Sequence, residues 1–441
     1  MPLRKHLVNL ITSPAFIVIV AFLVRMGFLV HEFHVYVEPI LRDNLQFGAE
    51  TGSIAASIAA GRGFSSPLRL IRTGPSAWLS PIYPYLLAGV FKLFGTYSYL
   101  SNIVIHTIDC SFASLTCWPI FAIGKKVFGR ATGAAAAWLW VVLPTAIFFP
   151  IIWVWDTSLT GLWMALLIAV TLNLRGDDRM RDWLGYGALW GIGALINPSL
   201  LPVLPPLALW AIWPLRQQFV RSARLAAASA TIFLVCLAPW TIRNYVVFHK
   251  FVPLRSNFGL ELWLGNNPDV PDTWTPQLHP NDNMLEAKKY AAMTELPYMA
   301  EKQHEAFTFM RTHPTDTMRF FFHRFANTWL GIWDPPSDIW THLSLYYKLI
   351  LVSNMAFSLL SLFGLLFMQR KKGDWGFPFA SVLLLFPIVF YVTHPAQRYR
   401  YPIDPILSVL TMYAVGCCIS WVAERLSSSK LQPQASASSI G

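Results

Sequence analysis

The sequence predicts an all-α polytopic membrane protein of about ten transmembrane helices, with further helices and a long helical loop gathered at its outer surface. Three observations carry this reading. Of 441 residues, 55% are hydrophobic and only 13% charged, against about 25% charge in an ordinary soluble domain. Ten apolar runs read as spans of a bilayer core about 30 Å thick, at 8–30, 99–123, 133–149, 151–174, 184–196, 199–213, 225–240, 346–368, 377–392 and 403–423. The net charge of +11 is dispersed among the short loops between these runs. That is the positive-inside pattern of a membrane protein, not the basic patch of a nucleic-acid binder.

Taken in order, Arg4, Lys5 and His6 precede the first apolar run, and no small-residue cleavage site follows it, so the run reads as a retained span. It carries an arginine, Arg25, at a depth where a charge needs a partner or a role. His31, Glu32 and His34 follow, a weak metal signal because spacing fixes no third ligand. The first polar loop then holds Glu50 at the start of a short helical pattern in which Ile54 and Ile58 form an apolar stripe suited to a membrane surface. Gly61 and Gly63 end that helix, and Pro75, Pro81 and Pro84 lead the chain back irregularly. The next apolar stretch, Ile82–Phe94, has 13 residues; at about 1.5 Å per residue it covers only about 20 Å, so it lies on or re-enters the surface rather than crossing.

With that stretch not crossing, the basic loops at Arg4, at Lys125 to Arg130, at 175–181, at 216–224, at 370–372 and at 425–430 all fall in the cytoplasm. The Glu50 loop, the turns at Pro150 and Asn197, the loop 243–345 and the turn 394–401 then fall outside. The expected organisation is a membrane module at 1–242 with its outer loop at 31–98, an outer loop at 243–345, membrane helices at 346–424 and a disordered Ser- and Ala-rich tail at 425–441. Within the long loop, Asp282 begins one helix, Pro297 sits in the first turn of a second that ends before Pro314, and 315–330 forms an amphipathic third. The five cysteines lie within apolar spans and suggest neither a disulfide framework nor a zinc site.

The residues able to do chemistry are concentrated on that outer side. Glu50 at a helix start between apolar walls has the setting of a general base. Asp156, at the outer start of a span, is a second acidic candidate or else a helix cap. Arg398 and Arg400 offer planar guanidiniums suited to phosphate oxygens, and Arg25 is a third basic candidate. Tyr83, Asn197, Asn244, Glu261, His394 and Tyr399 are candidate substrate-binding groups on the same side.

Several of these pieces, in this order, resemble the GT-C superfamily of membrane glycosyltransferases: Glu50 with Ala55, Gly61 and Gly63; Pro81, Ile82, Tyr83 and Pro84; Leu93 to Gly95; Asn244; Gly265 to Pro268; and the turn from Arg398 to Pro402. Within it the chain is similar to the family 39-like branch of protein O-mannosyltransferases and aminoarabinose transferases. The resemblance implies a sugar donor on a polyprenyl monophosphate, a glycan, lipid or protein acceptor, and inverting transfer on the non-cytoplasmic face of the plasma (inner) membrane. It implies a carboxylate base in the first outer loop, here Glu50 where the family commonly has Asp, a second acid matching Asp156, and donor-phosphate contacts matching Arg398 and Arg400. No cofactor is fixed by it; a divalent metal is possible, with ligands unknown. The competing reading is a multi-span transporter of a lipid-linked or small solute, which the missing inverted repeat disfavours.

Overall fold

A computed structural model describes residues 2–32, 47–270, 275–330 and 345–430. His34, part of the weak metal signal, and the tail beyond Lys430 lie outside these residues.

Among the described residues every extended element is helical. Seven stretches are long and apolar enough to cross a membrane, eight if the bent pair Arg130–Val142 and Pro144–Ile152 is one span. The expectation was ten. The difference has two sources. The expected span at 184–196 lies in the 17-residue helix Met180–Ile196, and the expected pair at 346–368 and 377–392 falls largely in one continuous apolar stretch, Leu351–Val392. Ile82–Phe94 is a helix over the expected residues and is too short to span. The final helix, Asp404–Lys430, continues into the stretch expected to be disordered.

Arg25 has a structural explanation the sequence did not give. Pro144 and Pro150 have no N–H, so the carbonyls four residues earlier, those of Trp140 and Ala146, lose their helical donors. The fully buried Arg25 donates to both, from Nη2 to Trp140 O at 3.1 Å and from Nε to Ala146 O at 3.0 Å, and from Nη1 to Ala21 O in its own helix at 3.0 Å. In a bilayer core such orphaned carbonyls have no water to turn to. Arg25 therefore ties the first span to a bent one, with the bend at 47°, and does not face the candidate site.

The helices of the long outer loop form as expected, at Met284–Met293, Glu295–Thr312 and Pro314–Leu330. The first is capped by Asn283 rather than Asp282: its side chain accepts from the N–H groups of Leu285 and Glu286. Another expectation fails in an informative way. Ile54, assigned to a membrane-facing stripe, is wholly buried in a core shared with Phe64, Trp78, Trp240, Leu260, Tyr290 and Tyr298. The two long loops expected on the outer side thus pack on each other. Glu295 ties them together at the core's edge, accepting from Ser76 Oγ at 2.6 Å, Ala77 N at 2.6 Å, Ser256 Oγ at 2.7 Å and Tyr290 OH at 2.8 Å.

Candidate active site

Where the two outer loops meet the membrane helices, the chain encloses two adjoining clefts of about 950 and 1140 Å³ counting their open mouths. Leu79, Trp155, Glu261, Arg398 and Tyr399 line both, so they are two ends of one site.

Glu50 lines one end, at the first residue of the helix Glu50–Ala59. Gly48 precedes it with φ +78°, and a Cβ there would lie 2.1 Å from Val154 O. Only glycine allows that approach, and the approach holds the start of the Glu50 helix against the segment carrying Trp153, Trp155 and Asp156. Asn281 Nδ2 donates to Glu50 Oε1 at 2.5 Å, and His279 Nε2 lies 3.3 Å from the same oxygen. Burial raises the Glu50 carboxyl above the ordinary carboxylate range, with His279 pulling the other way and Glu261 adding to the rise.

Glu261 sits on the helix Phe258–Gly265, whose last glycine packs so closely on Thr393 that a Cβ would overlap its carbonyl. That contact sets Glu261 beside His394, whose Nε2 is 2.6 Å from Oε2, while Asn257 donates to Oε1 at 2.7 Å. Burial would raise the Glu261 carboxyl, but the hydrogen bond and charge of His394 outweigh it and hold it down at about 2. Two carboxylates in one cleft, Glu50 buried and Glu261 half-buried, are therefore tuned in opposite directions.

Asp156 lines the other end. It occupies the cap position of the helix Thr157–Leu174 without a capping hydrogen bond. Its side chain instead accepts from Asn197 Nδ2 at 3.0 Å and from Thr160 Oγ1 at 3.4 Å. Burial raises its carboxyl against the opposing pull of Arg255 and Arg398. Tyr83 lines the same end, its hydroxyl donating to the buried Asp109 at 2.7 Å. Phe386, Val389, Phe390 and Pro402 make an apolar wall, with Tyr399 stacked on Phe390 at 4.3 Å.

Arg398 stands between the two ends, its guanidinium 4.1 Å from the centre of the Trp155 ring and 3.5 Å from Tyr399 OH. Arg400 does not join it. Its Nε donates to Asp404 Oδ1 at 2.9 Å, both side chains are buried, and it lines neither cleft. One turn of helix separates this pair, so Asp404 captures the guanidinium before it can reach the cleft. The second guanidinium in the site is that of Arg255, which the sequence reading passed over. Among the described residues neither Arg255 nor Arg398 is paired with a carboxylate. Asn244 is also displaced from its expected role: fully buried, it donates to Val252 O at 2.9 Å and accepts from Arg243 at 2.9 Å, fastening the turn that carries Arg255.

The structure thus brings Glu50, Asp156, Tyr83, Asn197, Glu261, His394, Arg398 and Tyr399 together and leaves Arg25, Arg400 and Asn244 outside. It adds Arg255, His279 and Asn281. His279 and Asn281 belong to a short turn, 279–283, whose alternation of polar residues and proline was the available signal.

Residues 78–242 match the family described as dolichyl-phosphate-mannose-protein mannosyltransferase, a stretch containing Tyr83, Asp156 and Asn197 but not Glu50, Glu261 or Arg398. Among solved structures, the oligosaccharyltransferase of Archaeoglobus fulgidus in complex with Zn and sulfate matches 94% of this chain at TM-score 0.51 and 14% identity. The chain shares the GT-C fold of that protein. The same archaeal protein, AglB, in complex with an inhibitory peptide and a dolichol-phosphate, matches at TM-score 0.51 and 13% identity, again over 94% of this chain. This chain spans 50% and 52% of those two, about half their length. A more distant likeness is ArnT from Cupriavidus metallidurans bound to undecaprenyl phosphate, at TM-score 0.39 and 12% identity over 90% of this chain and 79% of that one. No curated protein matches. The protein is an integral multi-pass membrane protein.

One relative was solved with zinc. Among the described residues no group of three or more His, Cys, Asp or Glu side chains is placed to hold a metal ion. The ligand-type groups of the cleft are engaged in pairs, Glu50 with His279 and Glu261 with His394.

Proposed function

We propose that the chain is an inverting glycosyltransferase that moves a sugar from a polyprenyl-phosphate donor to an acceptor hydroxyl at the non-cytoplasmic face of the inner membrane. One observation carries the reading: two guanidiniums without carboxylate partners, those of Arg255 and Arg398, line a continuous cleft that also holds the buried carboxylate of Glu50. A pair of guanidiniums without carboxylate partners suits a phosphate, and a carboxylate raised by burial suits a general base.

On this reading the prenyl chain runs out past the Phe386 and Phe390 wall while its phosphate lies against Arg255 and Arg398. The acceptor hydroxyl enters from the Glu50 end. As its oxygen bonds to the anomeric carbon, its proton passes to Glu50 and the bond from that carbon to the phosphate oxygen breaks. The phosphate keeps the electron pair, and its added negative charge is met by the two arginines. Asp156, held by Asn197, orients the arginines by its charge, and Trp155 and Tyr399 supply flat faces for the sugar. The two outer loops roof the cleft and keep water from the donor.

The test uses the full chain in lipid nanodiscs with a panel of radiolabelled polyprenyl-phosphate sugars, scoring release or transfer of label. At least one donor is expected to lose its sugar, and Glu50→Gln to stop the loss. Label retained by every donor, or turnover by Glu50→Gln at the wild-type rate, would falsify the proposal.

A further inference from the structure

The turn that delivers His279 and Asn281 has a directional hydrogen-bond pattern. Asn281 N–H donates to His279 Nδ1 at 3.1 Å, so Nδ1 is the unprotonated nitrogen and the ring proton sits on Nε2, facing Glu50 Oε1 at 3.3 Å. The Asn281 side chain is fixed just as firmly. Its Oδ1 accepts from Arg69 N–H at 3.0 Å, which turns its amide nitrogen to Glu50 at 2.5 Å. Arg69 also donates from Nε to Asn281 O at 3.0 Å and pairs with Asp282 at 3.0 Å, so the first outer loop grips the turn through both backbone and side chain. Among the described residues Asn281 is the one side chain that hydrogen-bonds Glu50, at Oε1; His279 Nε2 lies close to the same oxygen as an ion-pair contact, and no side-chain donor reaches Oε2. A carboxylate with one oxygen held by an amide hydrogen bond and faced by an imidazole is left with its other oxygen open.

Resting on the function proposed above, we infer that His279 and Asn281 are positioning residues: a clamp from the long outer loop that orients Glu50 so that Oε2 takes the acceptor proton. The other titratable and charged groups facing this corner are Glu261, Arg398 and His394 across the cleft and Asp282 within the turn. None of them supplies a hydrogen-bond donor to Glu50.

Two variants separate the clamp from the base. His279→Asn keeps an oxygen that can accept the Asn281 N–H, as in an Asx turn, but is too short to reach Glu50. Asn281→Ala removes the hydrogen bond to Oε1. Each is expected to lower turnover about 10- to 100-fold with donor KM unchanged, the scale of a small misplacement at a reacting centre. A readout independent of substrate is the infrared band of the protonated Glu50 carboxyl, assigned by its absence in Glu50→Gln. In both clamp variants that band is expected to persist to higher pH than in the wild type, because a group that favours the ionised form is gone. Full turnover and an unmoved band in both variants overturn the clamp while leaving Glu50 as base. Undiminished turnover in Glu50→Gln overturns the base reading instead, and the band shift then decides the clamp on its own.

Discussion

The two ends of the cleft are built from the same kinds of residue and differ in the partners those residues are given. At one end Glu50 is surrounded by an imidazole and an amide from the outer loop; at the other Asp156 is held by Asn197 and Thr160 and faces two guanidiniums beside an apolar wall. Both carboxyls are raised by burial, so burial alone does not distinguish them. Their partners do. Glu50 has neighbours that orient it and leave an oxygen for a proton, while Asp156 has neighbours whose positive charge it balances. Glu261, on the wall between, is held down at about 2 by His394 and is the poorest base of the three, since its proton affinity is lowest.

Substitutions at the two ends should separate this division. The largest effect is expected at Glu50: Glu50→Gln lowers the turnover number about 10²- to 10⁴-fold with donor affinity unchanged, read by label transfer and by direct donor binding. A comparable loss of donor affinity would mean that the two ends are not separate. At the other end Arg255→Ala is expected to weaken donor binding about 10- to 100-fold, the worth of a charge-assisted hydrogen bond lost.

Arg400→Met is the contrasting variant. It leaves Asp404 buried and uncompensated, which costs about 3–5 kcal/mol of stability, so the melting temperature falls while donor affinity in the folded fraction stays at the wild-type value. Weaker donor binding by Arg400→Met, with Arg255→Ala normal, would restore the pairing of Arg398 with Arg400 that the sequence suggested.

The smallest effect is on pH dependence. A general base works in its ionised form, so turnover rises as pH rises through the Glu50 pKa, and burial sets that limb above the usual carboxylate value. Glu261 contributes to the rise through its like charge, so Glu261→Gln is expected to move the acid limb to lower pH. A limb that stays in place or moves upward would show that Glu261 does not act on Glu50 through its charge.

The sequence by itself determined the membrane class, the positions of most spans and the helices of the loop 243–345, and it named most of the residues that the structure gathers in the cleft. These follow from local properties: apolar length, proline and glycine placement, and the periodicity of 315–330. It also singled out Glu50, Asp156 and Arg398, because charged residues are rare enough in such a chain to stand out individually. Only the tertiary structure decided which basic residue joins Arg398. Arg400 and Arg255 look alike along the chain, and the difference is that Asp404 lies one turn from Arg400 while the turn fastened by Asn244 carries Arg255 into the cleft. Arg25 turned out to serve two carbonyls orphaned by prolines some 115 and 121 positions away. His279 and Asn281 meet Glu50 from more than 200 residues along the chain, at a separation of 231 for Asn281. Hydrogen bonds of that range are set by packing between elements, and packing leaves no periodic trace in a single sequence.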